Sequence, residues 1–284
     1  MKVVANPQTV HAQIVHWRKE GLRVGLVPTM GALHAGHISL VHQARSFCEI
    51  VVTTIFVNPT QFGPNEDFTR YPRTLDSDLL LLKDARVDLV FIPLAADMYP
   101  PGNSTFIQPP RVALPLEGEH RPEHFRGVAT IVLKLFNLLP ASVAFFGQKD
   151  YQQCLVVRQM VEELNVPIRI EICPTLREPD GLAMSSRNRY LSPSQRQAAL
   201  CLWKALQAAS ASYSAGQSSI TAIEQHMLEI LAREGADRID YARIVDRETL
   251  EPVDDSSGPA VAVIAAHVGS TRLIDNYLLE PLRA

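Results

Sequence analysis

Apolar positions along the chain fall into two textures. In the first, short apolar runs alternate with segments of helical period. Val10, Ile14 and Trp17 recur at helical spacing and predict a helix over residues 7–20. Val24-Gly-Leu-Val27 reads as a buried strand, and Ile38, Val41, Ala44 and Phe47, three residues apart, read as one helix face. Ile50-Val-Val-Thr-Thr-Ile-Phe-Val57 is β-branched without polar alternation, the pattern of a central strand covered on both faces. The spacing then predicts a helix over Arg73–Arg86 with Leu79, Leu80 and Leu82 inward. Strands at Val87–Ile92, Ser142–Phe146 and Ile168–Ile172 follow, with helices at Gly127–Leu139 and Tyr151–Leu164. Strand alternating with helix predicts an α/β domain with a Rossmann-like parallel sheet over residues 1–175.

Near residue 175 the texture changes. Thr175–Tyr190 is loop-like, and a helix is predicted from Pro193 to about Ser212, then a linker at Ser214–Ser219 and a helix at Ile220–Glu234. Strands are predicted at Ile239–Val245, Ala260–His267 and Arg272–Asp275. Residues 176–284 therefore read as a smaller α+β domain. In the first domain a Pro- and Gly-rich stretch, residues 97–122, has no dominant period, and a loop of that length is expected to serve as a lid or a substrate wall.

Composition narrows the class. The chain has 284 residues, 46% hydrophobic and 20% charged, ordinary for a soluble globular protein, with a net charge of −3. A pI near 6.3 offers no broad basic field, so neither nucleic acid nor a membrane is an expected partner. The N-terminus shows no signal-peptide pattern, and the apolar segments around Val128–Leu139 and Ala260–Val268 are too short or interrupted to span a bilayer, so a cytoplasmic location is expected. Cys48, Cys154, Cys173 and Cys201 are widely spaced, the pattern of buried reduced thiols.

The candidate chemistry begins at Pro28-Thr-Met-Gly-Ala-Leu-His34-Ala-Gly-His37, between a predicted strand and a predicted helix. Gly31 and Gly36 permit close backbone approach. Exposed N–H groups at the helix start would suit a phosphate, and His34 and His37, three apart, would face the same spot and donate to phosphate oxygens when protonated. Asn58 and Gln61 follow the predicted central strand, where open α/β sheets bind ligands. Lys149 and Gln153 follow a second strand-to-helix switch, and Ser185-Ser186-Arg187 lies in the loop between the predicted domains. A loop of hydroxyls with an arginine suits a triphosphate and a departing pyrophosphate.

These motifs resemble the HIGH/KMSKS nucleotidyltransferases, and within them the pantothenate synthetase family. The resemblance is carried by the His-x-Gly-His string, by Ile55-Phe-Val-Asn-Pro-Thr-Gln-Phe62, Tyr71-Pro-Arg-Thr74, His124-Phe-Arg-Gly127 and Phe146-Gly-Gln-Lys-Asp150, by Met184-Ser-Ser-Arg187 within Ser185–Leu191, and by Arg272-Leu-Ile-Asp-Asn276. It implies ATP-dependent condensation of pantoate with β-alanine through a pantoyl adenylate, giving pantothenate, AMP and pyrophosphate. It also implies a catalytic set of His34, His37, Lys149, Ser185, Ser186 and Arg187. The ATP site it implies comprises Met30, Gly31, Ala32, Leu33, His34, Ala35, Gly36, His37, Gly147, Gln148, Lys149, Asp150, Leu176, Met184, Ser185, Ser186 and Arg187. Gln61 and Gln153 are implied for pantoate, and Gln61 also for β-alanine. Magnesium is expected to come with ATP, without a dedicated protein metal site, and Asp78 is a candidate to orient it. A homodimer built through the N-terminal domain is also implied.

Competing signals are weaker. His120-Arg-Pro-Glu-His124 has the spacing of a zinc-peptidase helix, but Pro122 blocks a regular helix there. Asn103-Ser-Thr matches a glycosylation sequon, which matters only on secretion. No G-x-G-x-x-G, Walker loop or G-x-S-x-G occurs, which removes the main support for a dehydrogenase, a P-loop kinase or a serine hydrolase. Two alternatives share the same residues: another small-molecule nucleotidyltransferase, and a nucleotide-binding sensor without turnover. Release of pyrophosphate on adding pantoate separates them.

Overall fold

Val24–Thr29 (β2) and Ile50–Ile55 (β3) pair in parallel from Val24 and Ile50 to Thr29 and Ile55. Val51, Val52, Thr53 and Thr54 are all buried, as their unbroken β-branched run requires. The computed structural model describes residues 1–64, 66–216 and 219–281. Within them the chain divides into two compact units, one of Met1–Gln148 with Gln152–Pro174, the other of Lys149–Tyr151 with the chain from Thr175 onward.

The first unit is built on a six-stranded parallel sheet of order β1-β4-β3-β2-β5-β6. Its other strands are Lys2–Val4 (β1), Leu89–Phe91 (β4), Val143–Gly147 (β5) and Arg169–Cys173 (β6). The helices are Pro7–Lys19 (α1), Ala35–Phe47 (α2), Leu75–Asp84 (α3), the one-turn Ala95–Met98 (α4) and Glu117–His120 (α5), His124–Leu138 (α6) and Tyr151–Glu163 (α7). Asn6 starts α1 by accepting the Thr9 N–H, with Pro7 in the first turn where its missing N–H costs nothing. Beneath the sheet Val27, Leu33, Val41, Ala44, Val51, Leu82 and Phe145 form one apolar core. The chain winds outward from β2 through β3 to β4, then returns to β5 on the other side of β2. The strand order therefore reverses between β2 and β5, the position at which open α/β sheets bind ligands beyond their strand ends.

Several expectations are corrected. β1 was not legible in the pattern; three residues carry no periodicity, yet they pair with β4 at the sheet edge. Leu80 does not face inward but is 62% exposed, while Asp78 and Leu82 are buried. A run of four leucines has no intrinsic phase, and the phase of α3 is set by Asp78, which is anchored to another segment. The stretch 97–122 is no free lid. It contains the end of α4, all of α5 and a 3₁₀ turn at Arg111–Ala113. The buried Gln152 amide pins it, donating to Val112 O at 2.9 Å and Pro115 O at 2.7 Å and accepting from the Glu117 N–H at 3.1 Å.

The second unit packs Pro193–Ala198 (α8), Leu200–Ser214 (α9) and Ile220–Glu234 (α10) on an antiparallel sheet of order β7-β8-β9. The strands are Arg238–Asp246 (β7), Ala260–Val268 (β8) and Thr271–Leu279 (β9). Ala260, Ala262, Ile264, Ala266 and Val268, at period two, join Leu202, Leu206, Met227 and Leu231 in one core. The single helix predicted from Pro193 is two helices. At the junction the Leu202 N–H bonds back to Ala199 O, a tighter 3₁₀ step. The predicted linker Ser214–Ser219 includes Gln217 and Ser218, which lie outside the described residues.

Candidate active site

Gly31 and Ala32 turn the chain between β2 and α2 with φ of 81° and 51°, left-handed values that glycine adopts freely and alanine only under constraint. The constraint is Asp78 of α3, 1% exposed. Its Oδ2 accepts the Ala32 N–H at 2.9 Å, its Oδ1 accepts the Leu33 N–H at 2.9 Å, and Oδ1 also accepts the Thr74 hydroxyl at 3.1 Å. A Cβ at Gly31 would press to 3.1 Å of Asp78 Oδ2 and of Ile55 Cγ2.

The turn then caps α2 with its own histidines. His34 is the N-cap residue, and its Nδ1 accepts the Gly36 N–H at 3.1 Å. His37 Nδ1 accepts the His34 N–H at 3.3 Å, closing a reciprocal box, and the ring centroids lie 4.1 Å apart. With Nδ1 accepting in both rings, each neutral imidazole carries its hydrogen on Nε2. The expected crown of exposed N–H donors is narrower than the sequence suggests, with the exposed Ala35 at the start of α2 outside the bonds of the turn. Gly31 N–H goes to Thr29 Oγ1, those of Ala32 and Leu33 to Asp78, those of His34 and Gly36 to the imidazoles, and that of His37 to His34 O. With Nδ1 engaged in both rings, Nε2 is the edge each imidazole can offer an anion beside the helix start. Asp78, with both oxygens on backbone N–H groups, does not fit the magnesium-orienting role expected of it.

After β3, Asn58 is 1% exposed at the head of a 3₁₀ turn, Pro59–Gln61. Its Oδ1 accepts the Thr60 hydroxyl at 3.0 Å and the Tyr99 hydroxyl at 2.8 Å, and it faces the Thr60 N–H. The Nδ2 donors therefore point the other way, to Gln61 Oε1 at 3.0 Å and Gly127 O at 3.2 Å. Asn58, a sequence candidate for substrate contact, is spent on orienting its neighbour. This polarity leaves Gln61 Nε2 as the outward donor, resting 3.2 Å from Met30 Sδ. The turn is clamped from α5 and α6. His124 Nδ1 bonds Gln61 O at 2.9 Å, and Arg121, held by Glu66 at 2.6 and 2.7 Å, reaches the same carbonyl at 3.4 Å. Burial, then the Arg121 charge, holds the His124 imidazole down to about 4, so it is neutral and donates through Nδ1. Gln153 sits half-buried in the first turn of α7, and its side chain makes no hydrogen bond to another described residue.

In the second unit Lys149 stands in the 3₁₀ turn Gln148–Asp150, 3.5 Å from the Asp150 carboxylate. Its carbonyl accepts Asn276 Nδ2 at 2.8 Å. Asp275 is buried and takes the Arg177 guanidinium as a two-point pair at 2.6 and 2.9 Å, and Arg177 stacks 3.9 Å over Trp203. Arg177 also bridges in antiparallel fashion to Ala183, and Met184 N–H bonds to Leu176 O at 3.0 Å. This short hairpin carries Leu176, 39% exposed, and delivers Ser185 as the cap of the 3₁₀ turn Ser186–Tyr190. Ser185 Oγ accepts the Arg187 N–H at 3.3 Å, and Ser186 is buried. Lys149 and Ser185 line one small hollow, with Asn188 and Asp275. Asp78, Asn58, Arg177, Asp275 and Asn276 were not among the sequence candidates for these supporting roles. The only advance signal was that each lies inside a motif already singled out or beside one.

A parallel sheet whose switch point carries a capped His-x-Gly-His turn, in a chain that also has a Ser-Ser-Arg loop, defines a nucleotidyltransferase of the HIGH/KMSKS class. The family model described as pantoate-beta-alanine ligase matches residues 2–278, and the chain belongs to that family. It is 54% identical over 259 residues to a pantothenate synthetase of Rhodopirellula baltica, covering 90% of this chain and 91% of the relative. The crystal structure of pantothenate synthetase from Thermus thermophilus superposes with a TM-score of 0.92 at 44% identity, over 99% of this chain and 100% of that one. A pantoate-β-alanine ligase from Francisella tularensis, solved with β-γ ATP and β-alanine, superposes with a TM-score of 0.81 at 35% identity, over 98% and 97% of the two chains.

Proposed function

We propose that the chain joins pantoate to β-alanine in two steps through a pantoyl adenylate. A free carboxylate is a poor acyl donor because its leaving group would be oxide. Attack of pantoate's carboxylate on the α-phosphorus of ATP expels pyrophosphate and makes a mixed anhydride. The amine of β-alanine then attacks the acyl carbon, AMP leaves, and pantothenate is formed. Neither step needs a protein nucleophile, so the protein's work is alignment and charge stabilisation.

The geometry of each part supports the roles proposed for it. His34 and His37 donate through Nε2–H to ATP's phosphate oxygens, and the Met30–His37 turn gives the nucleotide its backbone wall. Ala32 and Leu33 contribute shape there, because their N–H groups are already used. Lys149 supplies a point charge, and Ser185, Ser186 and Arg187 add hydroxyl and guanidinium donors for pyrophosphate as it departs. Gly147, Gln148, Asp150, Leu176 and Met184 complete the assignment to ATP. Gln61, with Oε1 tied to Asn58, donates through Nε2 to pantoate and then to β-alanine, and Gln153 has an amide able to donate and accept at pantoate's hydroxyls. Residues 1–175 carry the nucleotide and pantoate determinants, and residues 176–284 the Ser-Ser-Arg loop.

Magnesium enters as part of the substrate MgATP. Among the described residues no group of three or more His, Cys, Asp or Glu side chains is arranged to hold a metal ion; the cation's ligands are proposed to be phosphate and water. A homodimer in the cytoplasm is the assembly and location proposed; no helix among the described residues is long and apolar enough to cross a membrane.

The observation that carries the reading is the His34–His37 pair, 4.1 Å between ring centroids, capping the helix at the sheet's switch point. The test is pyrophosphate release from ATP with and without pantoate, β-alanine withheld. Release that requires pantoate is expected. Release without it, or none, would leave the two-step reading without support.

A further inference from the structure

The His-x-Gly-His turn is held by a residue outside it. Asp78 lies more than forty residues downstream on α3 and is 1% exposed, yet its two oxygens take the N–H groups of the two residues that precede His34. A buried carboxylate beneath a turn that receives a polyanion would be costly if it were there only to fill space, because it adds negative charge where phosphate arrives. It is retained at a point where the chain must do something alanine resists: Ala32 sits at φ 51°, directly after Gly31 at φ 81°. Two hydrogen bonds to a carboxylate there are enough to outweigh the cost of one left-handed non-glycine residue. Leu33, 1% exposed, fixes the turn from the apolar side. With Ala32 and Leu33 fixed, the chain enters the extended N-cap His34, whose backbone N–H donates to His37 Nδ1 and so holds that ring.

We propose that Asp78 is the positioning residue of the imidazole pair: through the Ala32 and Leu33 N–H groups it sets where His34 and His37 place their Nε2–H donors for the adenylation step. Thr74 belongs to the same device, since its hydroxyl donates to Asp78 Oδ1 at 3.1 Å and fixes the carboxylate's rotation. The inference rests on the ATP chemistry proposed above. It also separates Asp78 from the metal: the carboxylate acts on protein N–H groups, not on magnesium.

A double-mutant cycle tests this. Asp78→Asn keeps the side chain's size but leaves one of the two N–H groups facing an amide NH₂. His34→Asn keeps a helix-capping oxygen and removes the imidazole. Pantoate-dependent pyrophosphate release is measured for wild type, both single variants and the double variant, at saturating substrates and well below each melting temperature. Asp78→Asn is expected to slow release about tenfold or more, with the pantoate KM nearly unchanged. In the His34→Asn background the same substitution is expected to cost clearly less than in wild type, because one of the two rings it positions is gone. Thr74→Val reads the same coupling with a smaller perturbation if Asp78→Asn does not fold. Equal losses in both backgrounds overturn the proposal. So does recovery of Asp78→Asn by raised magnesium, or a melting-temperature drop with the rate intact. A wild type lacking pantoate-dependent release would instead overturn the underlying chemistry, so the two failures are distinguishable.

Discussion

At Lys149 and Gln153 the same short segment serves two different parts of the reaction. Among the described residues Lys149 forms one ion pair, with Asp150 at 3.5 Å, a long contact to a half-exposed carboxylate, so its charge remains available for phosphate. Lys149→Ala is expected to slow adenylation about 10²–10³-fold, the loss seen on deleting one transition-state donor. Supplied with pantoyl adenylate and β-alanine, the variant should be far less impaired; equal loss in both half-reactions would make Lys149 structural. Gln153→Ala is expected to raise the pantoate requirement strongly and leave ATP binding nearly intact. A pocket of amides rejects a deoxy analogue because its own polar groups are left unpaired. The variant should therefore lose discrimination between pantoate and such an analogue, read by pyrophosphate exchange. The residues proposed to touch substrate were legible because their chemistry is written in their type and spacing. Those that aim them were not: Asn58 looked like a substrate ligand until its amide was found saturated, and nothing local to Asp78 announces that its partners are Ala32 and Leu33.

The turn bearing Gln61 is an element whose position depends on α6. A Cβ at Gly127 would lie 2.3 Å from Thr60 O and 2.7 Å from the Gln61 Cα, both backbone atoms that cannot swing aside. Gly127→Ala is expected to cost about 1–3 kcal/mol by overpacking and to raise the pantoate KM, because the turn must shift to admit the methyl. A lowered melting temperature with an unchanged KM would show that the turn moves without disturbing Gln61. His124 ties the same turn to pH. Its pKa falls from 6.5 to about 4 on folding, burial being the main cause. Between those values the unfolded chain binds more protons, so stability is whole above about pH 6.5 and drains as pH falls toward 4, by roughly 3 kcal/mol in all. His124→Asn, which keeps a donor where Nδ1 stands, should flatten that part of the stability–pH curve in denaturant titrations. An unchanged slope would assign the acid sensitivity to other groups. Elements with a strong period, such as β3 and α10, were read to within a few residues. Elements without one were not: β1 is too short to have a pattern, the leucine run of α3 has no phase of its own, and the Ala199 step between α8 and α9 changes no residue type.

At the scale of the whole molecule, net charge constrains what association can look like. A chain carrying −3 has little self-repulsion to overcome, so two copies can meet through an ordinary interface without charge compensation. A stable homodimer interface buries on the order of 800 Å² per copy or more and draws its strength from an apolar centre, not from salt bridges. The proposed dimer should therefore persist as screening increases. Sedimentation at micromolar protein is expected to show a species of about twice 31.5 kDa, in both about 0.05 M and about 0.5 M salt. Loss of that species at high salt would replace the apolar interface with an electrostatic one. A 31.5 kDa species throughout would make the chain a monomer, and the assembly proposed for it wrong.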